Sequence, residues 1–243
     1  MASILILGAS SDVAMSVARK FAIEKFDLYL AARNCERLLP LQSDLIIRYN
    51  INCKLFEFDA TDFNNHNNLL SLLPELPLVT VCAFGYLGDE DKARNEFSET
   101  LKIIQSNYVG AVSILNLIAN QYRLKRSGCI IGISSVAGDR GRSSNYIYGS
   151  SKAGFTNYLS GLRNELFQFH VRVITVLPGF IYSKMTDHLE LPKMLTSSPE
   201  EVTDSIYKAY IKKRDIIYVK WYWQWIMFVI KCIPEFIFKR LKL

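Results

Sequence analysis

The junction between Ser3-Ile-Leu-Ile-Leu7 and Gly8-Ala-Ser-Ser-Asp-Val-Ala14 constrains the fold more than any other stretch of the chain. A short, wholly apolar run that ends on glycine reads as a strand buried on both faces. Val13, Val17 and Phe21 then recur at helical spacing. A strand, a small-residue turn and a helix start together form a phosphate-binding arrangement. Free backbone N–H groups and the positive end of the helix face an anion there. Gly8, Ser10, Ser11, Asp12 and Val13 are therefore candidate cofactor contacts. Where a dinucleotide fingerprint places its second and third glycines, this chain has Asp12 and Ala14. Ala14 permits close packing of helix on strand. Asp12 can cap the helix, but its carboxylate repels a pyrophosphate unless it turns away.

Beyond this junction the same alternation continues. Strands are predicted over 27–33, 53–58, 79–85, 129–133 and 171–177. Helices are predicted over 36–49, 66–73 and 149–168, with a long helical stretch over about 91–124 that carries Asn107 near its middle. Alternating apolar strands and amphipathic helices imply one α/β domain, a doubly wound parallel sheet of Rossmann type. A chain of 243 residues, half of them hydrophobic, supports one such core. In these sheets the ligand crevice lies at the carboxyl ends of the strands. Gly8, Arg33, Asp59, Gly85 and Ser135 all fall at or just past predicted strand ends, and this agreement points to one shared site. Ala60, Ala83 and Phe84 fall beside them. Arg33 stands near the point where an acid would bond the ribose hydroxyls of NAD. An arginine there favours the 2′-phosphate of NADP, so NADP(H) is preferred and NAD(H) is the second candidate. The alternative for Arg33 is a solvated residue opening the next helix.

The chemistry is concentrated in residues 134–152. The apolar run Cys129-Ile-Ile-Gly-Ile133 delivers Ser134 and Ser135 to a strand end. Tyr148 opens a helical pattern, and Lys152, four residues on, shares its face. A phenol has a free pKa of about 10, and an ammonium close by lowers it enough for proton exchange with an alcohol or ketone oxygen. Taken alone, Tyr-x-x-x-Lys also fits a surface helix pair.

After Pro178-Gly179 comes a stretch of poor periodicity through about Ser198, which includes Ile181, Met185, His188 and Leu189 and reads as a lid or binding loop. Ser198-Pro-Glu-Glu201 carries a capping box and starts a helix, and a short strand follows at 216–219. Residues 221–243 form a separate basic, aromatic tail after the 1–220 catalytic domain. Residues 205–243 hold nine Lys/Arg against two acids, so the whole excess of +6 belongs to this end of the chain. The uncharged run before Lys231 lasts ten residues, half of what a membrane span needs (about 20). Tryptophans flanked by basic residues suit a helix lying in an anionic membrane surface. A helix that covers the domain, or a dimer contact, is the alternative. The five cysteines show no metal-like spacing and imply no disulfide. No metal site and no nucleic-acid motif is read. The N-terminus reads as a strand, not a signal peptide, which places the chain in the cytoplasm, peripheral to the inner face of the membrane if the tail engages it.

Gly8-Ala-Ser-Ser, Asn107, Ser135 thirteen residues before Tyr148, Lys152 and Pro178-Gly179 together resemble the short-chain dehydrogenase/reductase family. The resemblance implies catalysis by Asn107, Ser135, Tyr148 and Lys152: Tyr148 as proton donor or acceptor, Ser135 steadying the substrate oxygen, Lys152 holding the nicotinamide ribose and Asn107 supporting a water-linked proton path. It also implies NAD(P)(H) contacts from Tyr148, Lys152, Pro178, Gly179 and Ile181, and a homo-oligomer. The chain departs from the family at Asp12 and Ala14, and at Cys82-Ala-Phe-Gly85, where the family has Asn-Asn-Ala-Gly.

More narrowly, Ala83-Phe-Gly-Tyr-Leu-Gly-Asp, Ser134-Ser-Val-Ala-Gly-Asp-Arg, Tyr148-Gly-Ser-Ser-Lys-Ala-Gly and Ile233-Pro-Glu-Phe-Ile-Phe-Lys-Arg are similar to decaprenylphosphoryl-2-keto-β-D-erythro-pentose reductases. That similarity implies reduction of a keto group on a polyprenyl-phosphate sugar for cell-envelope polysaccharide, with a flavin-dependent sugar oxidase as partner. A soluble carbonyl or 3-oxoacyl reductase with a dimer-forming tail is the competing enzyme reading. A cofactor-binding regulator without catalysis is the non-enzymatic one.

Overall fold

The structure, a computed structural model, describes residues 2–187 and 190–241. His188 and Leu189 of the expected lid, and Lys242 and Leu243 of the tail, lie outside the described residues. In chain order the first half reads β1 (Ser3–Leu7), α1 (Asp12–Ile23), β2 (Asp27–Ala32), α2 (Leu39–Tyr49), β3 (Cys53–Glu57), α3 (His66–Leu72), β4 (Val79–Cys82), α4 (Glu90–Asn95) and α5 (Phe97–Ile104). The second half reads α6 (Gly110–Lys125), β5 (Gly128–Ile133), α7 (Tyr146–Leu166), β6 (Val171–Leu177), β7 (Phe180–Ile181), β8 (Thr196–Ser197), α8 (Pro199–Ile211), β9 (Ile216–Tyr218), α9 (Tyr222–Cys232) and α10 (Glu235–Phe238).

Seven strands form one parallel sheet in the order β3-β2-β1-β4-β5-β6-β9. The order reverses between β1 and β4, and a crevice opens outside the strand ends at such a switch point. Register brings those ends level: Leu7 lies beside Ala31 and Cys82, and Cys82 beside Gly132. Alternate side chains of the central strands feed two cores. Ile4 and Ile6 meet α1, α2 and α8 on one face, while Leu5 and Leu7 meet α3, α6 and α7 on the other. Burying each such side chain contributes about 1.5–3 kcal/mol, which is why the central strands are mostly apolar.

Two helices differ from expectation. The stretch predicted over 91–124 is not one helix: it breaks at Glu96, whose φ of −122° and ψ of 104° are extended. It then resumes from Phe97 to Lys125 with a π turn at Gln105–Val109. That run is long and apolar enough to cross a bilayer by length and composition, yet Ile114, Leu115, Ile118 and Tyr122 are buried against the sheet. It is a core helix. The helix expected over 149–168 starts earlier, at Tyr146, so Tyr148 lies inside its first turn.

The tail is docked on the domain. Trp223 and Met227 of α9 pack with Val136 and Leu177 in a third, smaller core. The opposite side of α9 is also apolar: Trp221, Trp225, Phe228 and Val229 are all exposed. The expected amphipathic helix is therefore apolar on two faces, because one of them serves the protein interior.

Candidate active site

At Gly8 the turn after β1 meets the loop after β4. The glycine's φ is +80°, and a Cβ there would lie 2.7 Å from the Phe84 backbone nitrogen, so only glycine lets the two loops approach. Ser11, not Asp12, caps α1: its hydroxyl accepts from the Ala14 N–H at 3.2 Å. The first-turn N–H groups of Asp12 and Val13 have no intrahelical acceptor, and they fit a dinucleotide diphosphate. Asp12 turns its carboxylate outward, where Oδ2 accepts from the Lys184 N–H at 2.7 Å. The charge expected to repel a diphosphate is thus spent on the loop that follows Ile181.

Further along the strand ends, Arg33 is exposed and faces Asp59. Burial works to raise the Asp59 pKa, but hydrogen bonds from Thr61 and the charge of Arg33 hold it below the usual carboxylate range. The N–H groups of Asn34 and Cys35 beside Arg33 already donate to the Glu57 carboxylate, at 2.8 and 3.0 Å. Arg33 is therefore the donor left for a phosphate at this end of the crevice. Ala60 is half-buried next to Asp59.

At the other end, Asn107, Ser135, Tyr148 and Lys152 are brought together. The π turn rotates Asn107 inward, and such turns recur at functional sites. Its Oδ1 accepts from the Tyr86 N–H at 2.7 Å, while Nδ2 donates to the Tyr86 carbonyl at 2.8 Å and to Ser151 Oγ at 3.0 Å. Asn107 thus fixes the loop that contains Ala83, Phe84 and Gly85. A Cβ on Gly85 would stand 3.1 Å from Asn107 Oδ1 and 3.4 Å from Lys152 Nζ, which puts both groups on one wall. Ser134 holds the turn of α7 at Lys152 by donating to the Lys152 carbonyl at 3.1 Å. Ser135 Oγ accepts from the Ala137 N–H at 3.1 Å.

Lys152 is buried, and its Nζ donates to the Ile133 carbonyl at 3.2 Å. Burial lowers its pKa to about 8, with Cys82 opposing. The Tyr148 phenol moves the other way: burial pushes it up to about 12, with the Ser135 hydroxyl pulling back. This corrects the expectation that the ammonium lowers the phenol. Lys152 Nζ lies 5.9 Å from the Tyr148 ring centroid, and desolvation of the site outweighs its charge. Near neutral pH the site accordingly holds a protonated phenol beside an ammonium.

The third wall comes from the tail. Pro178 accepts from the Val136 N–H through its carbonyl at 3.0 Å. The Trp223 indole fills the space above Gly179, where a Cβ would fall 2.0 Å from its ring. Lys220 Nζ donates to the Thr196 carbonyl at 2.8 Å, Trp223 Nε1 to Leu195 at 3.2 Å, and the Tyr222 hydroxyl to Met194. The start of the tail therefore grips the base of the expected lid, while Ile181 pairs with Ser197 across β7 and β8. Arg140, between Ser135 and Tyr148, donates to the Ile230 and Ile233 carbonyls at 2.5 and 2.6 Å and bonds Glu235 at 3.0 Å. Sequence reasoning missed Trp223, Arg140 and Ser151 as parts of this site. Gly179, Glu235 and Asn107, which they meet, lie 44, 95 and 44 positions away, and no local pattern marks them.

A parallel sheet whose reversal point gathers an anion-binding turn on one side and a serine, a phenol and a buried ammonium on the other defines an NAD(P)-dependent oxidoreductase. Comparison with known proteins agrees. The family model described as short chain dehydrogenase matches residues 2–193, and the chain belongs to that family. An uncharacterized oxidoreductase of Mycobacterium tuberculosis is 33% identical over 243 residues, covering 99% of this chain and 97% of its own. Among solved structures, a short-chain dehydrogenase from Sphingobium yanoikuyae in complex with NADPH aligns with a TM-score of 0.84 at 20% identity, over 97% of each chain. A variant of actinorhodin polyketide ketoreductase with NADPH aligns at 0.79 and 19%, over 90% of this chain and 95% of its own. Likeness at such low identity supports the fold.

Proposed function

We propose that this oxidoreductase works as an NADPH-dependent ketoreductase on a lipid-linked, polyprenyl-phosphate sugar in cell-envelope polysaccharide synthesis. When bound, the nicotinamide supplies the hydride. Tyr148 donates its proton to the forming alkoxide, and Ser135 hydrogen-bonds the same oxygen. Lys152 keeps a positive charge beside both, and Asn107 holds the 83–86 loop that borders them. Arg33, with the N-terminal turn of α1, Asp59, Ala60 and the 83–85 loop, holds the adenosine and diphosphate portions. Pro178, Gly179 and Ile181 line the nicotinamide end. The NADPH seen in structural neighbours supports the cofactor choice.

Reduction uses the protonated form, abundant at neutral pH when the pKa is about 12, whereas oxidation needs the scarce phenolate.

The observation that carries the lipid part is the contact of Trp223 with Gly179. It puts the aromatic, basic tail at the mouth of the site, with Trp225 61% exposed on the outer side. A helix apolar on its outer face with Lys231, Lys239 and Arg240 nearby suits an anionic membrane surface on the cytoplasmic side. A flavin-dependent sugar oxidase would supply the ketone. The same outer face suits a second copy of the chain, and that is the competing occupant. Turnover of polyprenyl-phosphate keto-sugars with NADPH tests the reading. Tyr148→Phe should lower kcat by about 10²–10⁴ with NADPH affinity retained, and a variant as active as the natural chain would refute it.

A further inference from the structure

Arg142 lies in the turn between Ser135 and Tyr148, and its Nε is buried without a hydrogen-bond partner among the described residues. A guanidinium nitrogen withdrawn from water and left unpaired costs free energy unless something else pairs with it. The Asp139 carboxylate, whose charge acts on Arg142, is already engaged: it accepts from the Tyr218 hydroxyl at 2.7 Å and faces Lys231 Nζ at 3.8 Å. Two more orphan atoms follow, one three residues on in the same turn and one on α4, which bonds the start of α7. Asn145 Oδ1 is buried and unpartnered, and so is Glu90 Oε2, although Glu90 Oε1 accepts from the Ile147 N–H at 2.9 Å. The approach to Tyr148 thus carries one unpaired donor, whose fork matches phosphate oxygens, and two unpaired acceptors suited to hydroxyls.

We infer that Arg142 binds a phosphate group of the substrate, with Asn145 and Glu90 accepting from hydroxyls beside it. This rests on the ketoreductase reading of the adjoining Tyr148 and names the substrate class it serves: a hydroxylated, phosphorylated ketone. The phosphate is not the cofactor's. Arg142 neighbours Asp139, which bonds Tyr218 of β9 at the sheet edge, whereas the diphosphate turn follows β1, with β4, β5 and β6 between them.

The test compares binding of farnesyl phosphate and farnesol to the full-length protein loaded with NADP⁺. The natural chain should bind the phosphate at least tenfold more tightly. Arg142→Gln should erase that preference without weakening NADP⁺ binding, and Arg142→Lys should keep part of it. Arg142→Lys also serves if the glutamine variant fails to fold. Absence of a preference in the natural chain, or its persistence in Arg142→Gln, overturns the assignment. A parallel loss of NADP⁺ affinity would assign Arg142 to the cofactor and overturn it too. Tyr148→Phe in the same assay separates the two readings, since it should lower kcat by about 10²–10⁴ and leave the phosphate preference in place. A phosphate preference that Arg142→Gln removes, in a protein that reduces no ketone, would sink the reaction and keep the site.

Discussion

The Asp12 carboxylate accepts a hydrogen bond from the Lys184 backbone N–H at 2.7 Å, which joins residues 172 positions apart. Its chain position is one where the family has glycine, so this turn has gained a latch to the loop beyond β7. A hydrogen bond to a charged group contributes about 1.5–3 kcal/mol, which corresponds to roughly ten- to a hundredfold in an equilibrium. Asp12→Gly should therefore speed amide hydrogen exchange at Lys184 by at least about tenfold and leave exchange in β1 and β4 unchanged. Equal protection at Lys184 in both proteins would show that the latch does not hold the loop.

Arg140 should be the pin of the tail. Its guanidinium caps the last carbonyls of α9, bonds Glu235, and lies 3.6 Å from the Phe238 ring centroid. Arg140→Ala should release residues 233–241 to proteolysis while thermal unfolding of the sheet moves by only a few degrees. It should also lower kcat, because the same loop leads to Tyr148. Arg140→Lys cannot reproduce a fork of three bonds and should behave more like alanine than like arginine.

The pH dependence of reduction follows from Lys152 and Tyr148. As pH rises through about 8, Lys152 loses its proton in the folded protein, and kcat/KM for ketone reduction should fall over that range. Tyr148 remains protonated up to about 12. Stability should run the other way. Between about 8 and 10.5 the unfolded chain keeps a proton on lysine that the folded chain has released, so the folded state gains with pH. Lys152→Met should be inactive yet more stable at pH 7, on the order of 2 kcal/mol, with that gain closing by pH 10 in urea melts. A variant less stable at pH 7 than the natural chain would refute the buried-ammonium account.

Replacing the outward residues Trp225 and Phe228 with serine tests the tail better than deleting it does, because deletion also strips Trp223 from Gly179. The double variant should keep its melting temperature and its turnover of a short-chain ketone, and lose cosedimentation with anionic vesicles. If vesicle binding was never present and the natural chain dimerises through this face, gel filtration will show the variant as the smaller species, and the membrane reading falls.

Most of the sheet was legible because strands buried on both faces are dominated by apolar residues. Ser3–Leu7 and Val171–Leu177 are where the pattern put them, and the capping box at Ser198 and Glu201 marks the start of α8. The site was legible where its residues follow strand ends or share a helical turn, as Ser135, Tyr148 and Lys152 do. The rest was decided by tertiary partners. The π turn at Asn107 leaves no trace in periodicity, since one extra residue merely shifts the apolar face. The inner surface of α9 could not be told from its outer one, because Trp223 and Trp225 are the same residue type with opposite burial. Asp12 looked like a cap or a liability until its partner at Lys184 came into view.

The fit of Trp223 against Gly179 joins two positions that cannot drift separately. A larger residue at 179 would evict the indole, and a smaller one at 223 would leave a hollow beside the turn that lines the cofactor end. Descendants of this chain that exchange one tail for another must therefore inherit a matching turn with it. A chimera built by swapping C-termini alone would import one ancestor's tail and leave the other's turn without the indole that fits it.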